Sequence, residues 1–411
     1  MIAPVAKQTS VRMLIAYATK YGCKLSTGDV ETAFLTAKMD CVKLPPFWGP
    51  DGEPILHKEN VVSTSRLLNK GIPGIPQGSR LFYETFRDHL ISLGYRPSAS
   101  DCCLFFNADL KEKHALAIWV DDFVFAYEQE STYDVLLEGL RRVQHNSGSL
   151  QLLGMKIQMT PSTKTTSLSQ RTSIELLLSR AGMMECNPVS TPCIQGTVLR
   201  KAAESEEPVD AHQYRSLVAL ANYLACWTRP DITDLVNKLC KYMSKPVHAH
   251  WLALKHLLRY LKGTVDAGLH YNFANETRYL YGFSDSSFAD CLDTGRSTLA
   301  YAFFYGSAVM SWYSKHNTYV TTSTNHSEYA ALAVAAKEGE WLISLVKHFE
   351  PGVNITPIPI YVDNSGIVAM TLNPVDHQAN KNIRVTCHYV RELVNNATIN
   401  PCADSNRAKH R

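Results

Sequence analysis

Asp121 and Asp122 stand side by side between two apolar runs, Ala117-Ile118-Trp119-Val120 and Phe123-Val124-Phe125-Ala126-Tyr127. Adjacent carboxylates repel each other and resist burial, so something must compensate them in such surroundings. A divalent cation does so, and magnesium, a hard cation, suits carboxylate oxygens. Paired ions held this way are a device of phosphoryl-transfer chemistry. The plainer alternative is that Asp-Asp forms only the turn of a β-hairpin. Further acids stand at Asp29, Asp285, Glu328 and Asp363.

The elements that must position these acids follow from periodicity. A helix is predicted over 7–22: Ser10 caps it, Val11, Leu14, Ile15 and Ala18 share a face, and Gly22 ends it. A short strand over 24–30 carries Asp29 near its end. Loops rich in Pro and Gly are expected over 44–52 and 71–78, then a helix over 81–94 with Phe82, Phe86 and Leu90 on one side. Strands are predicted over 102–106 and over 115–127, the latter interrupted by the acid pair. A helix over 131–143 and a strand over 152–159 follow. An acid leaving a strand and an acid pair in a hairpin turn can meet in neighbouring strands of one sheet, which would bring Asp29 to Asp121 and Asp122.

Polar and charged residues dominate 195–210, the expected internal boundary. Beyond it the pattern is helical. Val236, Leu239, Cys240 and Met243 form one stripe, with Lys238, Lys241 and Lys245 on another face. Leu254, Leu257, Leu258 and Leu261 form the next, flanked by Lys255, Arg259 and Lys262. Such spacing suits a phosphate backbone, and it equally suits a solvated helix face. From 278 the expected order is a strand ending at Asp285, strands over 296–305 and 309–315, and an Ala-rich helix over 325–349 with Glu328 in its first turn. A strand over 358–362 then delivers Asp363, and another helix follows. That order can converge three carboxylates on one point. The stretch from 395 is polar and expected to fray.

A chain of 411 residues usually forms two or three domains, and 45% hydrophobic residues suffice for real cores. The net charge of +3 carries no strong signature of nucleic-acid binding, so any such binding must come from local patches. Eleven cysteines without a C-x-x-C pair suggest reduced thiols and an intracellular protein. No signal peptide opens the sequence and no apolar run reaches membrane-spanning length, so neither secretion nor membrane insertion is expected.

The words around these acids resemble the reverse transcriptase and ribonuclease H of copia-type LTR retrotransposons. Asp29-Val30-Glu31-Thr32-Ala33-Phe34-Leu35 is similar to that family's D-V-x-x-A-F-L, and Trp119-Val120-Asp121-Asp122 to its Y-V-D-D. Pro76-Gln77 with Arg80, Phe82 and Tyr83 resembles its nucleotide-pocket segment. Leu153-Gly154-Met155-Lys156-Ile157, Leu168-Ser169-Gln170 and Pro188-Val189-Ser190-Thr191-Pro192 fall in family order. So do Tyr214-Arg215-Ser216-Leu217, Thr228-Arg229-Pro230-Asp231-Ile232 and Leu258-Arg259-Tyr260-Leu261-Lys262-Gly263-Thr264. Tyr281-Gly282-Phe283-Ser284-Asp285, Ser311-Trp312-Tyr313-Ser314-Lys315, Glu328-Tyr329-Ala330-Ala331 and Tyr361-Val362-Asp363-Asn364 resemble the ribonuclease H words.

The resemblance implies an α/β (α+β) fold: a palm and thumb over 1–194 with the fingers largely missing, a mainly helical connection over 195–277, a ribonuclease H-like mixed sheet with helices over 278–394, and a polar tail over 395–411. It implies an RNA-directed DNA polymerase using Mg2+ or Mn2+, deoxynucleoside triphosphates, an RNA template and a DNA primer, with a nuclease acting on RNA–DNA hybrid. Asp29 and Asp121 would be the main polymerase metal ligands with Asp122 beside them, and Val30 would lend its carbonyl. Phe34 would lie under the sugar and exclude a 2′-hydroxyl, and Gln77 and Arg80 would belong to the nucleotide pocket. Asp285, Glu328 and Asp363 would be the nuclease acids and metal ligands. Two departures point to a degenerate element that at most binds nucleic acid. The similarity begins just before the first metal motif, so the cationic finger segments are expected to be missing. The segment Asn380-Lys381-Asn382-Ile383-Arg384 also puts an arginine where relatives supply a fourth acid. A reversed charge beside a metal site damages more than a neutral one, so weak hybrid cleavage is expected.

Overall fold

A computed structural model describes residues 4–30, 76–107, 113–138, 143–145, 150–274, 279–372 and 381–403, with the backbone alone at 29–30, 76–78, 137–138, 143–145 and 381–385. Contacts divide the chain into two units: residues 1–7 with 24–147, and residues 8–23 with 148–411. The first helix, α1 (Gln8–Tyr21), therefore groups with the second unit, and the charged stretch 195–210 lies inside that unit.

The first unit is built on β1 (Lys24–Val30), α2 (Pro76–Ser92), β2 (Tyr95–Pro97), β3 (Leu104–Asn107), β4 (Ala115–Trp119), β5 (Asp122–Tyr127), α3 (Glu130–Glu138) and β6 (Val143–His145). Its sheet runs in the order β2-β3-β4-β5-β1-β6, antiparallel at every pairing. The unbroken apolar runs of β4 and β5 bury residues on both faces, as a central strand pair must. Phe82, Phe86 and Leu90 of α2 line up as the periodicity predicts and are buried, with the Phe86 ring 6.0 Å from that of Phe123. Tyr133 of α3 stacks on Tyr127 at 5.2 Å. The predicted helix over 131–143 needs correcting at its end: Val143 belongs to β6 and pairs with Val30.

The second unit continues with β7 (Leu150–Leu152), β8 (Met155–Thr160), β9 (Thr165–Ser169), α4 (Arg171–Arg180), α5 (Ala211–Trp227), α6 (Thr233–Cys240), α7 (His248–Gly263) and β10 (Gly268–Asn272). The strand predicted over 152–159 is instead a hairpin, β7 against β8, with Leu153 and Gly154 at positive φ in its turn. Strands β10-β9-β8-β7 form one sheet, and α4 to α7 share a core that includes Leu177, Leu217, Leu235, Leu254 and Leu258. The chain then forms β11 (Leu280–Ser287), β12 (Thr298–Tyr305), β13 (Ala308–His316), α8 (Thr324–Phe349), β14 (Ile358–Val362), α9 (Ser365–Leu372), α10 (Lys381–Asn395) and β15 (Ile399–Ala403). The sheet order is β13-β12-β11-β14-β15, with β14 and β15 added in parallel. α8 packs small residues, Ala330, Ala331, Ala335, Ala336 and Gly339, toward the sheet, which permits a close approach. Gly282 is required on β11, since a Cβ there would lie 2.5 Å from the Phe303 ring.

The segment from 395, expected to fray, is another correction. Ile399–Ala403 is a strand at the sheet edge, and Pro401 is tolerated there because an edge strand has one unpaired side. α1 is anchored within this unit by Arg12. Its buried guanidinium donates to the carbonyls of Met310 at 2.8 Å, Cys226 at 3.0 Å and Trp227 at 3.2 Å, and lies 4.0 Å over the Trp312 ring. Burial pulls this guanidinium down to about 10. Lys20 at the other end of the helix pairs with the buried carboxylate of Glu350 at 2.6 Å.

Candidate metal centres

In the first unit, β4 and β5 join through a turn of two residues, Val120 and Asp121, closed by the Trp119↔Asp122 pair. Tight hairpin turns demand positive φ, and Val120 takes it, at φ 58. A β-branched residue there is strained, and such strain collects at functional sites. β1 lies antiparallel to β5 on the other side, in a register that sets Asp29 directly opposite Asp122. Residues opposite in such a pair stand on one face of the sheet, with Cβ atoms about 4.5–5.5 Å apart. Asp121 follows in the turn, half-buried like Asp122. The strand register thus gathers three carboxylate-bearing residues at one end of the central strands. Their hard oxygen donors suit a divalent ion.

The residues expected around this site are described unevenly. Val30 pairs with Val143 on β6, Gln77 lies in the first turn of α2, and Phe34 falls outside the described residues. Arg80 donates through Nε to Glu84 Oε1 at 2.7 Å, an i,i+4 ion pair on its own helix.

In the second unit, Asp285 and Asp363 leave two neighbouring parallel strands in step. Ser284 pairs with Val362, and each acid is the next residue. Glu328 reaches the same point from α8. Oxygens of Asp285, Glu328 and Asp363 all lie within 4.8 Å of one another. Glu328 was expected in the first turn of its helix. Ser323 caps that helix by accepting from the His326 amide at 3.2 Å, so Glu328 falls in the second turn and is 6% exposed. Burial, helped by Asp285 and Asp363 and opposed by a hydrogen bond from Ser286, pushes its carboxyl up to about 7. Glu328 Oε2 is buried without a hydrogen-bond partner in the structure. A buried acceptor so placed is costly unless a cation or proton meets it, so the cluster fits a divalent ion. A cleft of about 290 Å³ opens beside Asp285, lined also by Asp231, Asp234, Trp312 and Ser314.

The basic residues proposed from helical spacing do not form one free stripe. Lys238 pairs with Asp234 at 2.9 Å and Asp290 at 3.4 Å. Burial tends to lower its ammonium, but these two acids override it and raise it. Lys241 donates to Cys291 Sγ at 3.0 Å and meets His316 Nε2 at 3.1 Å. Arg259 donates to the Asn187 carbonyl at 2.7 Å. Lys245 and Lys255 are exposed and Lys262 is half-buried. Sequence reasoning passed over Ser286, which touches Glu328. Its only signal was a hydroxyl adjacent to a candidate ligand.

Residues 1–195 match the family described as reverse transcriptase (RNA-dependent DNA polymerase). A retrovirus-related Pol polyprotein from transposon RE2 of Arabidopsis thaliana is 32% identical over 402 residues, 97% of this chain and 27% of the relative. The corresponding polyprotein from transposon RE1 of the same plant is 31% identical over 402 residues, 97% of this chain and 26% of the relative. The chain thus spans about a quarter of the length of the curated relatives it matches. Among solved structures, a foamy viral protease-reverse transcriptase in complex with double-stranded DNA is 13% identical, with a TM-score of 0.49, over 93% of this chain and 56% of that one. No helix among the described residues is long and apolar enough to cross a membrane.

Proposed function

The chain belongs to the copia-type retrotransposon Pol polyproteins, with a reverse transcriptase domain over 1–195, and from that premise we propose that it carries an RNA-directed DNA polymerase site and a ribonuclease H site. The observation that carries the polymerase reading is the Asp29↔Asp122 register beside Asp121. The nuclease reading rests on the meeting of Asp285, Glu328 and Asp363 within 4.8 Å. When bound, Mg2+ or Mn2+ supplies Lewis acidity toward a phosphoryl group and lowers the pKa of an attacking hydroxyl or water. Asp29, Asp121 and Asp122 would hold it in the first unit, with the Val30 carbonyl alongside. Phe34 would exclude a 2′-hydroxyl and Gln77 would orient the deoxynucleotide, while Arg80 would act with its Nε already given to Glu84. In the second unit Asp285, Glu328 and Asp363 would hold it against the RNA strand of a hybrid. Exposed Lys245 and Lys255, with Lys262, are the cations best suited to a nucleic-acid backbone. Lys238 and Lys241 serve the protein's own contacts first.

Primer extension on an RNA template with Mg2+ tests the first site. Incorporation that disappears in Asp121→Asn supports it, and incorporation that survives the substitution overturns it. A second reading, a remnant that binds nucleic acid without turning it over, is favoured by Arg384 at the head of α10. Salt-sensitive binding of primer–template with neither synthesis nor hybrid cleavage would establish it.

A further inference from the structure

Asp285 and Asp363 are aimed by paired strands, but Glu328 comes from a helix and needs its own guide. Ser286, the next residue on β11 after Asp285, touches it. Ser286 Oγ donates to Glu328 Oε1 at 2.9 Å and lies 2.7 Å from Ser327 Oγ, and the Ser286 amide donates to Asp285 Oδ1 at 2.9 Å. Glu328 Oε2, in a side chain that is 6% exposed, has no hydrogen-bond partner. Fixing one oxygen of a carboxylate fixes the plane of the group, so the tied Oε1 leaves Oε2 as the donor presented to an ion.

Hydroxyl bookkeeping agrees. Ser286 has one hydroxyl hydrogen, and given to Glu328 it leaves Ser286 as the acceptor toward Ser327. Ser327 must then give up its alternative, a 3.0 Å bond to the Thr324 carbonyl. The two serines make a short chain whose last hydrogen ends on the carboxylate. We propose that Ser286 is a positioning residue that presents Glu328 Oε2 for divalent cation binding. The proposal rests on reading the cluster as a cation site. It adds one residue to that site, acting through Glu328 and not on the ion. Groups that orient a metal ligand in this way typically contribute about 10–100-fold to affinity.

The test is a Mn2+ titration of the full chain carrying Asp121→Asn, without nucleic acid, with free aqueous Mn2+ followed by electron paramagnetic resonance. Glu328→Gln in the same background marks the contribution of the cluster. Ser286→Ala is expected to weaken that contribution about tenfold, and Ser286→Thr, which keeps the hydroxyl, to restore it. Ser284→Ala, which removes a buried but unpartnered hydroxyl from the same face of β11, leaves it unchanged. Binding by Ser286→Ala equal to that of the background chain overturns the proposal. So does equal loss in Ser286→Thr and Ser286→Ala, which would assign the effect to packing. If Glu328→Gln itself alters nothing, the cation reading of the cluster falls and the role of Ser286 with it. Loss in Glu328→Gln without loss in Ser286→Ala removes Ser286 alone.

Discussion

The two acid clusters are assembled by different means. In the first unit everything depends on sheet register, with Asp29 opposite Asp122 and Asp121 in the adjoining two-residue turn. In the second, two parallel strands deliver Asp285 and Asp363 in step, and a separate helix brings Glu328 against them. The first cluster is half-buried where described, with strain stored in the backbone at Val120. The second stores its cost in a side chain, a buried carboxylate with one oxygen unsatisfied. Bringing acidic residues to one point of the fold comes with a strained turn in one place and with a desolvated carboxylate in the other.

The largest expected effect separates the two sites outright. Asp121→Asn should cut nucleotide incorporation by about a hundredfold or more while sparing hybrid cleavage, and Asp285→Asn should do the reverse. Loss of both activities from either substitution would show that the clusters do not act independently.

Much of that separation was legible in the sequence, and what was not has physical reasons. The apolar runs around Asp121 gave the hairpin, and the run 24–30 gave its neighbour, because strand periodicity is local. Asp285, Glu328 and Asp363 lie on the elements that periodicity predicts for the same reason. β15 escapes local periodicity because its partner β14 is remote in sequence and Pro401 argues against a strand anywhere but an edge. Spacing alone defines the stripe Lys238, Lys241 and Lys245. Asp234 is visible as an i−4 partner of Lys238, but Asp290, Cys291 and His316 arrive only through tertiary packing. Helical periodicity likewise established α1 but could not reveal where Arg12 would find its acceptors.

The next effect in size concerns the desolvated cluster. The folded value of Glu328 is raised from 4.5 to about 7, so the native protein holds a proton that the unfolded chain has already released. The stability this gives is complete below the ordinary carboxylate range and is lost as pH rises to about 7. Without divalent ions, the melting temperature should therefore fall across that window. Glu328→Gln should flatten the dependence and melt higher at pH 8. A melting curve with the same pH dependence in both proteins would contradict a desolvated Glu328.

The strained turn offers a matching test. Val120→Gly should stabilise the first unit by about 1 kcal/mol, since glycine takes positive φ without steric cost. Denaturant unfolding reads this directly, and an unchanged or lower midpoint would mean that Val120 is not held in strain. Smallest of all, Ser284→Ala should change stability by less than about 0.5 kcal/mol or raise it slightly, because the lost hydroxyl has no partner. A clear destabilisation there would reveal a bond that the structure does not contain.

The lodging of α1 has a consequence for a cut chain. Residues 8–23 are built into the second unit, and the polypeptide then leaves for 24–147 before returning. A protease that severs the backbone between 147 and 148 yields an amino-terminal piece that still owns a helix clasped by Arg12 among the carbonyls of the other piece. The two products should elute together from a sizing column and part only in denaturant.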